Sequence, residues 1–236
     1  MKTIGLIGGM SWESTLGYYR LVNEGVKHRL GGLHSARLVL YSVDFDAIER
    51  LQRAENWDAA GVALADAARA LERAGADFLV LCTNTMHKVA AALEAAVAIP
   101  LLHIADPTAV AIKAAGFTRI GLLGTRFTME QAFYRERLRG HGLEVLVPDD
   151  VARERVHRVI YDELCVGIVR EESRAEYRDV MRGLVARGAQ AIILGCTEIA
   201  LLVDASDAPV PLFDTTALHA RAAVDAALED PTATAP

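Results

Sequence analysis

The chain has no surplus of basic residues, no long apolar run and few cysteines, and each shortage removes a class of protein. Its 25 Lys and Arg face 31 Asp and Glu, a formal charge of −6. With no basic excess to neutralise phosphates, neither nucleic acid nor an anionic membrane is an expected partner. No stretch reaches the ~18 consecutive apolar residues of a membrane span. The apolar run at the start is broken by Gly5, Gly8 and Gly9, too early for a secretory leader. The three cysteines, Cys82, Cys165 and Cys196, have neither CxxC nor zinc-ligand spacing, and they are too few to build a disulfide framework in 236 residues. A reducing, cytoplasmic setting and no metal are the expectation. What is present, 52% apolar and 24% charged residues, is the balance of an ordinary globular protein, long enough for one large domain or two small lobes.

One segment occurs twice. Gly75-Ala76-Asp77-Phe78-Leu79-Val80-Leu81-Cys82-Thr83-Asn84-Thr85 matches Gly188-Ala189-Gln190-Ala191-Ile192-Ile193-Leu194-Gly195-Cys196-Thr197-Glu198 at an offset of 113. Ile4-Gly5-Leu6-Ile7-Gly8-Gly9 is echoed by Ile120-Gly121-Leu122-Leu123-Gly124-Thr125 at 116, and Ile99-Pro100-Leu101-Leu102 by Val210-Pro211-Leu212-Phe213 at 111. The drift is what loops of unequal length in duplicated halves produce. The offset of 113 sets Thr83 opposite Cys196, and Cys82 opposite Gly195.

Short apolar runs closed by glycine or small polar residues read as buried strands, and the segments between them carry helical spacing. Helices are expected over 11–30, 58–74, 86–97, 129–140, 151–164, 173–187 and 215–228, with a frayed tail from Asp230. Strands alternating with helices imply parallel sheets covered on both faces. The expected architecture is α/β, two pseudo-symmetric lobes (1–103 with 214–236, and 104–213) with the active site in the cleft between them. In such sheets functional residues sit at the carboxyl ends of strands, where Thr83, Cys196, Met10 and Thr125 all fall.

Each candidate has a chemical and a structural reading. Cys196, followed by Thr197 and Glu198 at a helix start, suits a thiolate favoured by backbone N–H groups and the helix dipole; alone, it equally suits a buried structural cysteine. The duplication favours the first reading, because it puts a polar residue at the equivalent strand end. Thr83-Asn84-Thr85 offers hydroxyl, amide and N–H groups for a carboxylate, or a plain helix cap. Cys82 should face the core, since adjacent strand residues point to opposite sides. Cys165 beside Leu164 reads as part of an amphipathic helix. His87, one turn after Asn84, either orders the site or is a satisfied structural histidine. Gly5, Gly8 and Gly9 lack GxGxxG and P-loop spacing, so a nucleotide is not indicated.

With Gly8-Gly9-Met10-Ser11, Thr83-Asn84-Thr85-Met86-His87, Gly124-Thr125-Arg126-Phe127-Thr128 and Gly195-Cys196-Thr197-Glu198, the chain resembles the cofactor-independent aspartate/glutamate racemases over nearly its whole length. The resemblance implies two groups on opposite faces of an amino acid, one taking the α-proton as thiolate and the other returning a proton. It implies a substrate carboxylate held by Thr83, Asn84, Thr85 and by Cys196, Thr197, Glu198, no cofactor, a small amino acid as the binding partner, and a homodimer. Two departures stand out: the first cysteine of the usual Cys-Asn-Thr motif is Thr83, and Cys165 stands where many aspartate racemases carry a basic residue. Both resemble the broad-specificity branch, in which Met10, Gln52 and Cys165 line the substrate site by resemblance. A threonine hydroxyl does not ionise near neutral pH, so Cys196 is expected to abstract and Thr83, or water beside it, to reprotonate, with L to D the faster direction. Dicarboxylate decarboxylase or cis–trans isomerase chemistry and a non-catalytic amino-acid-binding module are the competing readings.

Overall fold

The computed structural model describes residues 1–229; the expected frayed tail from Asp230 lies outside them. Two four-stranded parallel sheets are present. The first contains β1 (Ile4–Gly8), β2 (Leu38–Ser42), β3 (Phe78–Leu81) and β4 (Leu101–Leu102) in the order β2-β1-β3-β4. The second contains β5 (Arg119–Gly124), β6 (Glu144–Leu146), β7 (Ala191–Gly195) and β8 (Leu212–Asp214) in the order β6-β5-β7-β8. The chain separates into two compact units, Met1–His103 with His219–Pro236, and Ile104–Leu218. The second crossing therefore falls within the helix Thr215–Leu228, five residues later than the lobe boundary expected at 214.

The ladders reproduce the offsets of the repeat. Ile4 pairs with Phe78 in the first sheet and Ile120 with Ala191 in the second; Leu79 pairs with Leu101 and Ile192 with Leu212. Shifts of 116, 113 and 111 carry each pair onto its counterpart. A side-chain period of two makes a one-residue slip reverse every strand's faces, so this agreement assigns the equivalences residue by residue. Leu81 matches Leu194, Cys82 matches Gly195, and Thr83 matches Cys196.

Central strands covered on both faces are apolar along their whole length, and β1, β3 and β7 are buried at every position. In the first unit Leu79 and Leu81 pack with Leu64, Ala68 and Leu71 of the helix Trp57–Arg73. Phe78, Val80 and Cys82 pack on the other face with Tyr18 and Val22 of the helix Trp12–Leu30, and with Ala223 and Val224. The helix after each half's last strand joins the other unit's core: Ala109 and Ile112 lie in the core of the second unit, Ala220 and Ala223 in that of the first.

Four local expectations are corrected. The helix Phe45–Arg53, capped by Asp44, was not legible, because only Ile48 and Gln52 are buried on it. The helix Ala105–Ala114 was also missed; Pro107 lies in its first turn, where a missing N–H costs no hydrogen bond. Instead of one helix over 86–97 there is a 3-10 turn, Thr85–Val89, followed by Ala90–Glu94. The cause is His87. Its ring Nδ1 lies 2.7 Å from the Thr83 carbonyl, the acceptor that a regular helix would offer to a backbone N–H, while the His87 N–H closes on the Asn84 carbonyl at 3.1 Å. Cys165 lies in a separate 3-10 turn, Leu164–Val166, ended by Gly167 at φ 73°, after the helix Asp150–Asp162 has stopped.

Candidate active site

In the first unit the sequence-expected residues gather beyond β1 and β3. Thr83, Asn84 and Thr85 follow β3 and are all nearly buried. Gly9 precedes Met10 in a turn that admits no side chain: its φ is +92°, and a Cβ there would lie 2.3 Å from the Val43 carbonyl oxygen. The Gly9 N–H donates to Thr15 Oγ1 at 2.9 Å, and that hydroxyl donates to the Ser11 carbonyl at 2.7 Å, so the first turn of the helix Trp12–Leu30 fixes the loop. Met10 is buried in the same apolar cluster as Ile48 and Met86. Gln52, also buried, places Nε2 2.9 Å from Met86 Sδ, which brings the end of the helix Phe45–Arg53 against the segment carrying Thr85. Cys82 is completely buried with Tyr18, Val80 and Val224, and burial raises its thiol pKa far above the usual range. It belongs to the core, as its strand parity requires.

In the second unit Thr125 and Cys196 each follow one of two glycines paired across β5 and β7, Gly124 and Gly195. Neither glycine has room for a methyl group: a Cβ on Gly124 would lie 2.8 Å from the Gly195 carbonyl oxygen, and one on Gly195 2.7 Å from the Leu123 carbonyl oxygen. Thr125 and Cys196 are the residues that leave the two strands directly after this paired step. Thr125 caps the helix Arg126–Glu130, accepting from the Thr128 N–H at 3.3 Å. Cys165, half-buried, packs on the core cluster that contains Cys196, and the Leu164–Val166 turn lies against the helix Ile199–Leu202.

The helix expected to favour a thiolate at Cys196 contributes little. The following helix, Ile199–Leu202, is a single turn, too short for a sizeable dipole. The thiol is pushed well above its ordinary range by burial first, then by the charge of Glu198 and by Cys165. It donates to Glu198 Oε2 at 2.9 Å, and the Thr197 hydroxyl donates to the same oxygen at 2.9 Å. Glu198, only 1% exposed, is thus the thiol's partner, a role the sequence reading had not given it. Tyr177 was missed altogether. Its phenol donates to the Val156 carbonyl and is held protonated by burial, with Cys196, Cys165 and Glu163 adding to the effect, so these acidic groups form one local cluster. Among the described residues no group of three His, Cys, Asp or Glu side chains could hold a metal ion, and no helix is long and apolar enough to cross a membrane.

Each unit thus presents a buried polar turn at the carboxyl end of its third strand: an unionisable hydroxyl with amide and hydroxyl neighbours in one, and a thiol with a carboxylate proton acceptor in the other. Proton removal and return at an acidic carbon is chemistry these groups can perform. The chain is 62% identical to a candidate Asp/Glu racemase from Yersinia pestis, whose crystal structure superimposes with a TM-score of 0.90 over 97% of this chain and all of that one. An aspartate racemase homologue from Pyrococcus horikoshii OT3 is 35% identical, with a TM-score of 0.83 and the same coverage. The broad specificity amino-acid racemase RacX of Bacillus subtilis is 25% identical over 227 residues, 94% of this chain and 96% of that protein. The profile of the Asp/Glu/Hydantoin racemases matches residues 7–223. With that match over most of its length, the chain belongs to the Asp/Glu/Hydantoin racemase family.

Proposed function

We propose that this protein is an amino-acid racemase acting on aspartate and glutamate, with wider side chains tolerated, and that it inverts Cα by direct proton transfer without pyridoxal phosphate. The observation that carries the reading is the matched ladder register, which makes Thr83 and Cys196 equivalent residues after equivalent strands. Two such groups serve the two faces of one carbon. Cys196 passes its thiol proton to Glu198, and the resulting thiolate takes the α-proton of the L-enantiomer. Thr83, or water beside it, donates a proton to the opposite face and is left as alkoxide or hydroxide. Cys196 now carries the α-proton as thiol, and the cycle closes when Glu198 releases its proton and the alkoxide or hydroxide regains one, both through solvent. The substrate carboxylate is bound by the Thr83–Thr85 and Cys196–Glu198 turns, and Met10, Gln52, Thr125 and Cys165 surround the side chain. The absence of a basic residue at Cys165 supports tolerance beyond acidic side chains.

Turnover from L is expected to exceed turnover from D, because an ionisable group serves only one face. We further propose a cytoplasmic homodimer. The exposed Trp12, Leu16 and Tyr19, three to four residues apart on the helix Trp12–Leu30, give it an apolar surface to bury.

The test is proton NMR of L- and D-aspartate and L- and D-glutamate in deuterated water with wild type and Cys196→Ala. Cysteine-dependent deuterium incorporation with inversion is expected, and loss of at least ~1,000-fold in the variant, within the range for a positioned acid–base group. No exchange from the four amino acids, with carbon dioxide released from a malonate-type dicarboxylate or fumarate formed from maleate, would move the assignment to a decarboxylase or isomerase of dicarboxylates. Binding with no exchange from any of the four would leave a binding module.

A further inference from the structure

Because the two polar turns occupy equivalent positions, a feature present behind one and missing behind the other marks a difference in role. Behind Thr83 stand three buried histidines, His87, His103 and His219, 3%, 7% and 0% exposed. The offsets that superimpose the ladders match His87 to Ala200, His103 to Asp214, and His219 to Thr108. Only the phenol is kept in both units: Tyr18 corresponds to Tyr134, and each stands beside its partner, His219 or Thr108. The histidine cluster is therefore specific to the half that carries threonine, Thr83, at the position of Cys196.

Its connections are directional. His219 Nε2 lies 2.8 Å from the Leu102 carbonyl and its Nδ1 2.9 Å from the Tyr18 hydroxyl. A carbonyl only accepts, so Nε2 carries hydrogen, and in the neutral ring Nδ1 accepts from Tyr18. By the same argument His87 donates from Nδ1 to the Thr83 carbonyl. The His87 ring packs on His103, centroids 4.4 Å apart, and on the edge of His219, 6.0 Å away. The carbonyl of Cys196 has no such partner and receives the Ile199 backbone N–H at 3.1 Å. Three rings with polar nitrogens are an expensive way to fill a core, and no group of three such side chains among the described residues is arranged to hold a metal.

We propose that His87, held by His103 and by the Tyr18–His219 pair, is a positioning residue that aims Thr83 at the carbanion. The inference rests on the reading of Thr83 as the reprotonating side. A hydroxyl far less acidic than a thiol must compensate by alignment, and misplacement by about 1 Å can cost ~100-fold. By taking the Thr83 carbonyl, the His87 ring ties the backbone of Thr83 to the 3-10 turn Thr85–Val89 that follows it.

The experiment separates the two faces. In deuterated water, L-aspartate that loses its α-proton to Cys196 either inverts or regains deuterium from the same side with retention. Wild type is expected to invert efficiently. His87→Leu should lower the ratio of inversion to exchange at least ~10-fold while Cys196-dependent exchange persists, the scale of a misaligned proton donor. His87→Asn, whose amide can donate near the place of Nδ1, should recover most of the ratio. His219→Thr, which installs the other unit's residue, should shift it in the same direction as Leu and by less, and it keeps the test alive should His87→Leu not fold. Equal loss of exchange and inversion in these variants, or no change in either, would overturn the role. Wild type showing neither exchange nor inversion would instead sink the reading of Thr83 and Cys196 on which it rests.

Discussion

The turn after β3 and the turn after β7 are the same place in a duplicated framework, yet almost every group in them differs. After β3 a threonine hydroxyl stands in a turn whose carbonyl is taken by a histidine ring; after β7 a thiol stands 2.9 Å from a buried carboxylate. One residue earlier the contrast reverses. Cys82 fits in a closed apolar core, while its counterpart Gly195 has no space for a single carbon. The shared ladder decides where the two turns lie, and the packing behind each decides what chemistry they support. A buried thiol becomes a base only if a neighbour accepts its proton, and a hydroxyl becomes a donor only if it is well aimed.

This contrast can be broken most strongly at Glu198. Glu198→Gln removes the acceptor but also the negative charge that helps raise the Cys196 pKa. Two readouts should therefore move oppositely. Turnover should fall by about 100-fold, the usual worth of a positioned proton acceptor. Alkylation of Cys196 by iodoacetamide should become faster at a given pH near 8, since losing the charge lowers the thiol pKa and enlarges the thiolate fraction. A parallel fall of both rates would mean that Glu198 only holds the turn in place.

A smaller effect should come from making the halves alike. Thr83→Cys restores an ionisable group to the first turn, so the kcat values from the two enantiomers should converge, closing a gap of about 10-fold if alignment and acidity of the donor limit one direction. The ratio of kcat/KM for the two directions must stay at one in either protein, because the enantiomers are equally stable in free solution. Equal kcat values already in wild type would remove the assigned asymmetry. Smaller again is Gly195→Ala, which adds in the second unit the Cβ that the first unit accommodates at Cys82. Overpacking against Leu122 and the Leu123 carbonyl should cost about 1–3 kcal/mol, read as a lower urea midpoint. Cys82→Ala, by comparison, removes only a sulfur from a core.

Much of this was legible before any coordinates. The offsets 116, 113 and 111 reappear as ladder registers because a fully buried parallel strand leaves an apolar run that duplication preserves, and because period two forbids a slip. The same parity told Cys82 from Thr83. The helix Phe45–Arg53 escaped because two buried residues leave too thin a stripe, and the turn at Thr85–Val89 because the His87 side chain takes a carbonyl, which the spacing of apolar residues does not report. Tyr18 and His219, 201 positions apart, and Tyr177 with Cys196 carried no shared local pattern at all.

The sequence by itself determined the two sheets, their strand equivalences and the nomination of Thr83 with Cys196, since these follow from local apolar pattern and repetition. Only the tertiary structure decided the protonation of Cys196, its partnership with Glu198 and the histidine cluster behind Thr83. Burial and long-range neighbours set those, and neither is written in the spacing of residues along the chain.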